Sequence, residues 1–247
     1  MNPDTVQKEL EAAVVAEAYQ TIASEYYDPD RHPTCANFRD ASVRGLRPWL
    51  RRYCTSDARI VEVGAGKSIL LEYLKESGLR LSQLLVTDSS CSMLNYSQDL
   101  ATDQDQLIVA SADHLPALDN SVTAIVASLG DPYNDINFWR EAHRILCPNG
   151  RVLFTTPSHE WATNFRKDGD PNAAEFKLAN GQRIYAPSLI LEVDQQIDLM
   201  RSAGFQTLAI QEIWLDDIDK GRISPKLTLS ELKFAPIVRA YLACKTA

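Results

Sequence analysis

The run Arg59-Ile-Val-Glu-Val-Gly-Ala-Gly-Lys67 constrains this chain more than any other stretch. Apolar residues stop abruptly at Gly64-Ala-Gly66, and a helical pattern follows. The junction predicts a buried strand, a glycine turn and a helix N-terminus, where backbone N–H groups and the helix dipole can approach a polar ligand. Glycine has no Cβ, so the chain can come within contact distance of a ribose or a carboxylate. Asp88 stands about twenty residues on, at the end of the next apolar run, where a ribose diol needs its acceptor.

Three motifs compete for this turn. A phosphate-binding P-loop needs glycine five positions before its Gly-Lys pair, and that position holds Val61, inside the strand. The dinucleotide pattern G-x-G-x-x-G fits Gly64 and Gly66 but meets Ile69 at its third glycine. The pattern Glu-x-Gly-x-Gly, followed by an acidic residue after the second strand, is satisfied by Glu62, Gly64, Gly66 and Asp88.

Further along, strands and helices alternate. The pattern predicts strands over 59–63, 83–87, 106–110, 122–129 and 150–156, with helices over 67–77, from about Ser90, and over 135–146. Such alternation implies a parallel sheet covered by helices on both faces. After Thr156 the pattern breaks: 157–170 is polar and aromatic, and Asn180-Gly181 between short runs signals a hairpin. A helix starting at Ser188 or Asp194 and ending at Ala203-Gly204 comes next. Strand six spans 205–215, a charged loop 216–230, and a last strand 237–244. Upstream, Leu10, Val14, Ala18 and Ile22 are spaced for one face of a first helix. A second helix runs from about Ala36 to Cys54, with a kink or break expected at Gly45 and Pro48.

These motifs resemble the class I S-adenosylmethionine-dependent methyltransferases. Ser111-Ala-Asp-His-Leu-Pro116 resembles that family's third signature, 123–128 its fourth strand, and 138–153 the helix, Pro-x-Gly turn and fifth strand that follow. Asn149 replaces one glycine of the turn, and asparagine tolerates positive φ. The resemblance implies an α/β fold: a doubly wound, mostly parallel seven-stranded Rossmann-like sheet of order 3-2-1-4-5-7-6. It carries an N-terminal helical cover, residues 1–56, on a cofactor-binding domain, 57–247, with an insert at about 157–187. It also implies S-adenosylmethionine as cofactor, held by Glu62, Gly64, Gly66, Asp88, Ser89, Asp113, His114 and Ser128.

The stretch Ser128-Leu-Gly-Asp-Pro-Tyr-Asn134 falls at the end of strand four, beside the transferable methyl. Amino-group methyltransferases of nucleic acids and proteins place Asp/Asn-Pro-Pro-aromatic there, and Asp131-Pro-Tyr133 lacks one proline. Asp131, Tyr133 and His159 are the catalytic candidates; Tyr26, Trp161 and Asn134 are candidates for the acceptor. Tyr19, Tyr26, Tyr27, His32 and Arg39 form a polar-aromatic group, either a cover over the cofactor or a simple cap on the sheet edge.

Composition narrows the rest. With 45% hydrophobic and 23% charged residues the chain is ordinary globular protein. No apolar run approaches the roughly 20 residues of a membrane span, and Met1 to Glu11 shows no secretory pattern. A net charge of −8 disfavours broad binding to nucleic acid, and the cluster Arg44, Arg47, Arg51 and Arg52 reads as a solvated helix face. Five scattered cysteines suit a reducing cytoplasm and give no metal pattern; Cys35 and Cys91 read as small buried residues. The expected activity is methyl transfer to a small or planar polar acceptor. The alternatives are amine methylation of a nucleic-acid base or protein side chain, and a non-catalytic domain that senses the cofactor.

Overall fold

A computed structural model describes residues 3–166, 170–219 and 221–246; the side chains of residues 3–14, 165 and 231 are outside the description. The expected face at Leu10 and Val14 therefore lies outside the described side chains. The seven-stranded sheet is built from β1 (Arg59–Glu62), β2 (Gln83–Asp88), β3 (Gln106–Val109), β4 (Val122–Ala127), β5 (Leu146–Pro157), β8 (Phe205–Ile213) and β9 (Val238–Lys245). Its order is β3-β2-β1-β4-β5-β9-β8, which is the expected 3-2-1-4-5-7-6 once the hairpin β6 (Ala173–Lys177) and β7 (Arg183–Pro187) is set apart. The first five strands run parallel, whereas β9 is antiparallel to both β5 and β8. The central strands are buried along nearly their whole length, as a sheet covered on both faces requires.

Two apolar layers close over the sheet. On one face α2 (Pro33–Tyr53) and α3 (Ile69–Ser77) pack Phe38, Leu46, Leu50, Leu70 and Leu74 against Ile60, Val86 and Leu153. On the other, α5 (Ile136–Ile145) and α7 (Val193–Ser202) bring Phe138, Trp139, Ile145 and Met200 against Val61, Ile125 and Phe154. Local chemistry sets the helix ends. Ser68 caps α3 by accepting from Leu71 N at 2.9 Å, and Asp135 caps α5 by accepting from Asn137 N and Phe138 N.

Several boundaries differ from expectation. α2 begins at Pro33, whose ring suits the first helical position, and continues unbroken through Gly45 and Pro48. Gly45 serves packing rather than a kink: a Cβ there would stand 2.7 Å from Ile213 Cδ1, against the inner face of β8. α2 therefore packs on the sheet, touching β5, β8 and β9, while α1 (Pro3–Tyr26) lies over β7 and the short α4 (Cys91–Leu94). α7 starts at Val193, beside the expected Asp194 and not at the alternative Ser188, because Glu192 and Gln195 form a capping box. The break after Thr156 hides a helix, α6 (His159–Phe165), capped by Ser158. Asn149 takes the expected positive φ, at 61°. Cys91 is exposed rather than buried, since it opens α4 on the outer side. Arg44 and Arg47 pair with Asp219 and Glu76 at the surface, in keeping with a solvated face.

Candidate active site

The parallel strands all end on one edge, and a cleft of about 640 Å³, counting the open space at its mouth, lies there. Its floor is the turn after β1. Gly64 and Gly66 adopt φ of 60° and 47°, values that a side-chain-bearing residue rarely accepts. Two tyrosines use the missing Cβ atoms. A Cβ on Gly64 would meet the Tyr133 ring at 2.5 Å, and one on Gly66 the Tyr27 hydroxyl at 2.1 Å. The Tyr133 hydroxyl donates to Val63 O at 2.7 Å, and Lys67 N donates to the Tyr27 hydroxyl at 2.7 Å.

Asp88 ends β2 on the cleft wall, 8% exposed. Its two oxygens accept from Gly66 N at 2.9 Å and Ser90 N at 2.8 Å, so the carboxylate ties the glycine turn to the start of α4. Burial raises its pKa to about 6 against those two bonds. Each oxygen keeps a lone pair for a further donor. Ser89, Ser128 and Arg39 also border the cleft. Arg39 donates to Lys67 O at 2.8 Å and pairs with Glu72 at 2.9 Å.

Glu62 does not reach the cleft. It is 1% exposed, and its carboxylate accepts from Ser68 Oγ, Ile69 N at 3.0 Å and Leu70 N at 3.3 Å. It therefore anchors the N-terminus of α3 from beneath the glycine turn. Burial pushes its pKa up to about 7 despite these donors.

A second, larger chamber of about 2000 Å³, counting the space at its mouth, adjoins the cleft. Tyr19, Tyr26 and Leu129 border both spaces and form the wall they share. Tyr19 and Tyr26 of α1 meet Phe176 of the hairpin edge-on or tilted, with centroids about 6 Å apart. Asp131 stands in the chamber wall, 8% exposed, and accepts from Ser188 Oγ. Ser188 in turn accepts from Arg166 at 2.7 Å, and Arg166 is held by the carbonyls of Pro171 and Ser188. Burial raises the Asp131 pKa to about 6, opposed by the Ser188 bond and the Arg166 charge.

Residues 61–154 match the family model described as a methyltransferase domain. Over that span the chain carries a methyltransferase domain. No curated protein matches it in sequence. Among solved structures, the Haloferax volcanii protein in complex with the Trm112 methyltransferase activator superposes with a TM-score of 0.69 at 15% identity, over 94% of this chain and 98% of that one. The DhpI–SAM–HEP complex gives 0.63 at 16% identity, over 99% of each chain. An S-adenosylmethionine-dependent methyltransferase from Mesorhizobium loti gives 0.59 at 20% identity, over 81% of this chain and 98% of that one. These likenesses establish a shared fold. S-adenosylmethionine is the cofactor, and the glycine turn and the carboxylate at the end of β2 lie together on one sheet edge.

The methyltransferase brings only some of its candidate residues together. Gly64, Asp88, Ser89, Ser128, Tyr133 and Tyr26 border the cleft, and Tyr26, Asp131 and Trp161 the chamber. Asp113, which accepts from Ser111 Oγ at 2.5 Å, and the exposed His114 sit in the loop after β3 and border neither space. His159 also stands apart, beside Thr163 and 4.0 Å from Glu192. Asn134 is 1% exposed and consumed by Trp139, Gln196 and Leu189, which makes it a strut between α5 and α7 rather than an acceptor contact. Sequence reasoning missed Arg166, Ser188 and Lys226. Ser188 stood out only as a helix start, and nothing local marked the other two. Among the described residues no His/Cys/Asp/Glu group could hold a metal ion, and no helix is long and apolar enough to cross a membrane.

Proposed function

We propose that the enzyme transfers the cofactor's methyl group to a small or planar polar acceptor seated in the chamber. The observation that carries this reading is the shared wall: Tyr19, Tyr26 and Leu129 border both the cleft over the glycine turn and a space roofed by α1 and the β6–β7 hairpin. Residues 1–56 then divide in role, α1 serving as the cover and α2 as part of the sheet layer. The insert at about 157–187 supplies the chamber's outer wall.

In this reading Asp88 accepts the ribose hydroxyls through its remaining lone pairs, and the Gly64–Gly66 backbone lies along the amino acid part. Arg39 and Lys67 add positive charge where that part's carboxylate belongs. Asp113 and His114, outside both spaces, take no contact in this reading. Glu62 acts through the turn, by holding α3 beneath it. The sulfonium supplies an electrophilic methyl; orientation of the nucleophile against it is the protein's main contribution, of the kind worth up to ~7–11 kcal/mol. Asp131, ionised above a pKa of about 6 and fixed by Ser188 and Arg166, takes the proton that the nucleophilic N–H or O–H gives up. Tyr133 packs on Gly64 and shapes the cleft.

Amine methylation of a nucleic-acid base or protein side chain fits less well. That motif carries two prolines before its aromatic residue, and Asp131-Pro-Tyr133 has one. The related folds include a sarcosine dimethylglycine methyltransferase and the HEP complex, both with small ligands in their names. Isothermal titration with S-adenosylmethionine and its demethylated product tests the reading. Micromolar binding that Asp88→Ala weakens supports it; an absence of binding to the wild type removes it.

A further inference from the structure

We propose that the end of α1 is a plug in the cofactor cleft, with the Tyr27 hydroxyl standing where a ligand oxygen belongs, so that the cofactor enters by exchange with this side chain. The proposal rests on the seating of the cofactor over the glycine turn given above, and not on the acceptor.

The turn between β1 and α3 presents a row of N–H groups, and nearly all are spent inside the protein. Ala65 N donates to Thr87 O at 2.9 Å, Gly66 N to Asp88 at 2.9 Å and Ser68 N to Ser97 Oγ at 2.8 Å. Ile69 N and Leu70 N donate to Glu62, and Leu71 N to Ser68 Oγ. Lys67 N is left over at the helix N-terminus, the kind of donor on which a polar ligand docks. The Tyr27 hydroxyl takes it at 2.7 Å, from forty positions earlier in the chain. Lys67 and Tyr27 both line the cleft. The hydroxyl lies so close over Gly66 that any Cβ there would collide with it. Size points the same way. The cavity left inside the cleft is about 80 Å³, whereas small-ligand pockets run to roughly 300–1,000 Å³. A side chain has to leave before the cofactor fits.

The two tyrosines over the turn differ in freedom. Tyr133 is fixed: its hydroxyl donates to Val63 O, and its ring meets the core residue Phe138 edge-on at 5.2 Å. Tyr27 instead follows the last residue of α1, at the start of the turn that leads to α2. The rings of Tyr96 and Tyr26 hold it edge-on, with centroids 4.8 and 5.0 Å away. Rim contacts fasten the helix behind it. The Tyr96 hydroxyl donates to Ala23 O at 2.7 Å, and Gln20 Oε1 accepts from Ser90 Oγ at 3.0 Å and Ser92 N at 3.1 Å. The apolar residues Ala18 and Ile22 pack with Phe176, Leu178 and Ala186 in a cluster separate from the two layers on the sheet. α1 can therefore shift without opening either layer, the profile of a low-cost local opening. α2 is packed on the sheet, which makes 28–32 the hinge.

A cover and a plug predict opposite signs. A cover touches the bound cofactor, so trimming it weakens binding. A plug competes with the cofactor, so trimming it tightens binding, because apparent affinity scales with the fraction of protein that is open.

The test is isothermal titration and stopped-flow mixing of the full chain with S-adenosylmethionine and with its demethylated product, in the wild type, Tyr27→Phe and Tyr27→Ala. Tyr27→Phe deletes only the oxygen on Lys67 N and should bind both ligands about threefold to tenfold tighter. Tyr27→Ala removes the ring as well and should gain more. In the wild type the observed association rate should level off at high ligand concentration, at the rate of plug release, and Tyr27→Phe should raise that plateau. If Tyr27→Ala melts too low to study, Tyr27→Phe carries the test. Binding by Tyr27→Phe that is weaker, or within twofold of the wild type, overturns the plug and leaves the cofactor seat in place. Failure of the wild type and both variants to bind removes the seat itself, and the plug with it.

Discussion

The cofactor cleft and the acceptor chamber share a wall, yet they are built in opposite ways. The floor of the cleft comes from one span, Gly64 to Met93, and its geometry lies in the backbone: two positive-φ glycines, a strand-end carboxylate, and turns bonded to both. The chamber comes from Tyr19, Asp131, Arg166, Ser188 and Lys226, scattered over some two hundred residues and joined only by folding. A backbone-built site tolerates little change and leaves a local sequence signature. A side-chain-built site can be re-lined without disturbing the sheet.

The two regions separate most sharply at Asp131. Asp131→Asn keeps the shape and the Ser188 contact but cannot take a proton. The expected loss in kcat is roughly 10²–10⁴-fold, the usual contribution of a positioned base, with cofactor affinity unchanged by titration. In the wild type, kcat should rise with pH through about 6, since only the ionised carboxylate accepts the proton. A variant that retains wild-type kcat would show the chamber acting by proximity alone.

Glu62 sharpens the comparison from the cofactor side. Its folded pKa of about 7 exceeds the ordinary value of 4.5, so the native state holds the proton more tightly. The stability this confers is fully present below pH 4.5 and is lost as pH rises through about 7. The expected decline from this group is about 3 kcal/mol. In Glu62→Gln, denaturant titrations between pH 4 and 8 should show that slope removed, with cofactor affinity altered less than threefold. A large loss of affinity with the slope intact would move Glu62 from beneath the turn to the ligand itself.

Asp88→Ala comes next in size. Each charge-assisted bond to the carboxylate is worth roughly 1.5–3 kcal/mol, so losing one to the ligand should weaken cofactor binding about tenfold to a hundredfold. Acceptor binding in the chamber should be unchanged. If both ligands weaken together, the shared wall couples the two sites and the division drawn here is too clean.

How much of this was legible follows from the same contrast. The strand order, the glycine turn and Asp88 could be read because apolar runs and positive-φ positions leave marks on neighbouring residues. Glu62 was legible as important but not in its role, since sequence does not reveal that Ser68, Ile69 and Leu70 fold back on it. α6 was hidden because its seven residues are too few to establish a helical period. Arg166 and Ser188 matter only because the insert returns to Asp131, a contact set by tertiary packing that no local pattern encodes.

His159 gives the smallest expected effect. It follows β5 on the active edge, so its position in the chain suggested a general base. Folding places it at the start of α6, where Ser158 caps the helix and the ring turns toward Thr163 and Glu192. Its contact with the 60%-exposed Glu192 side chain, at 4.0 Å, is a surface pair of the kind worth about 0–1 kcal/mol. His159→Ala should therefore leave kcat/KM within about twofold and Tm within a few degrees. A hundredfold loss of kcat would mean that α6 swings its first turn into the chamber. The proton would then pass to an imidazole, and Asp131 would orient the acceptor instead of deprotonating it.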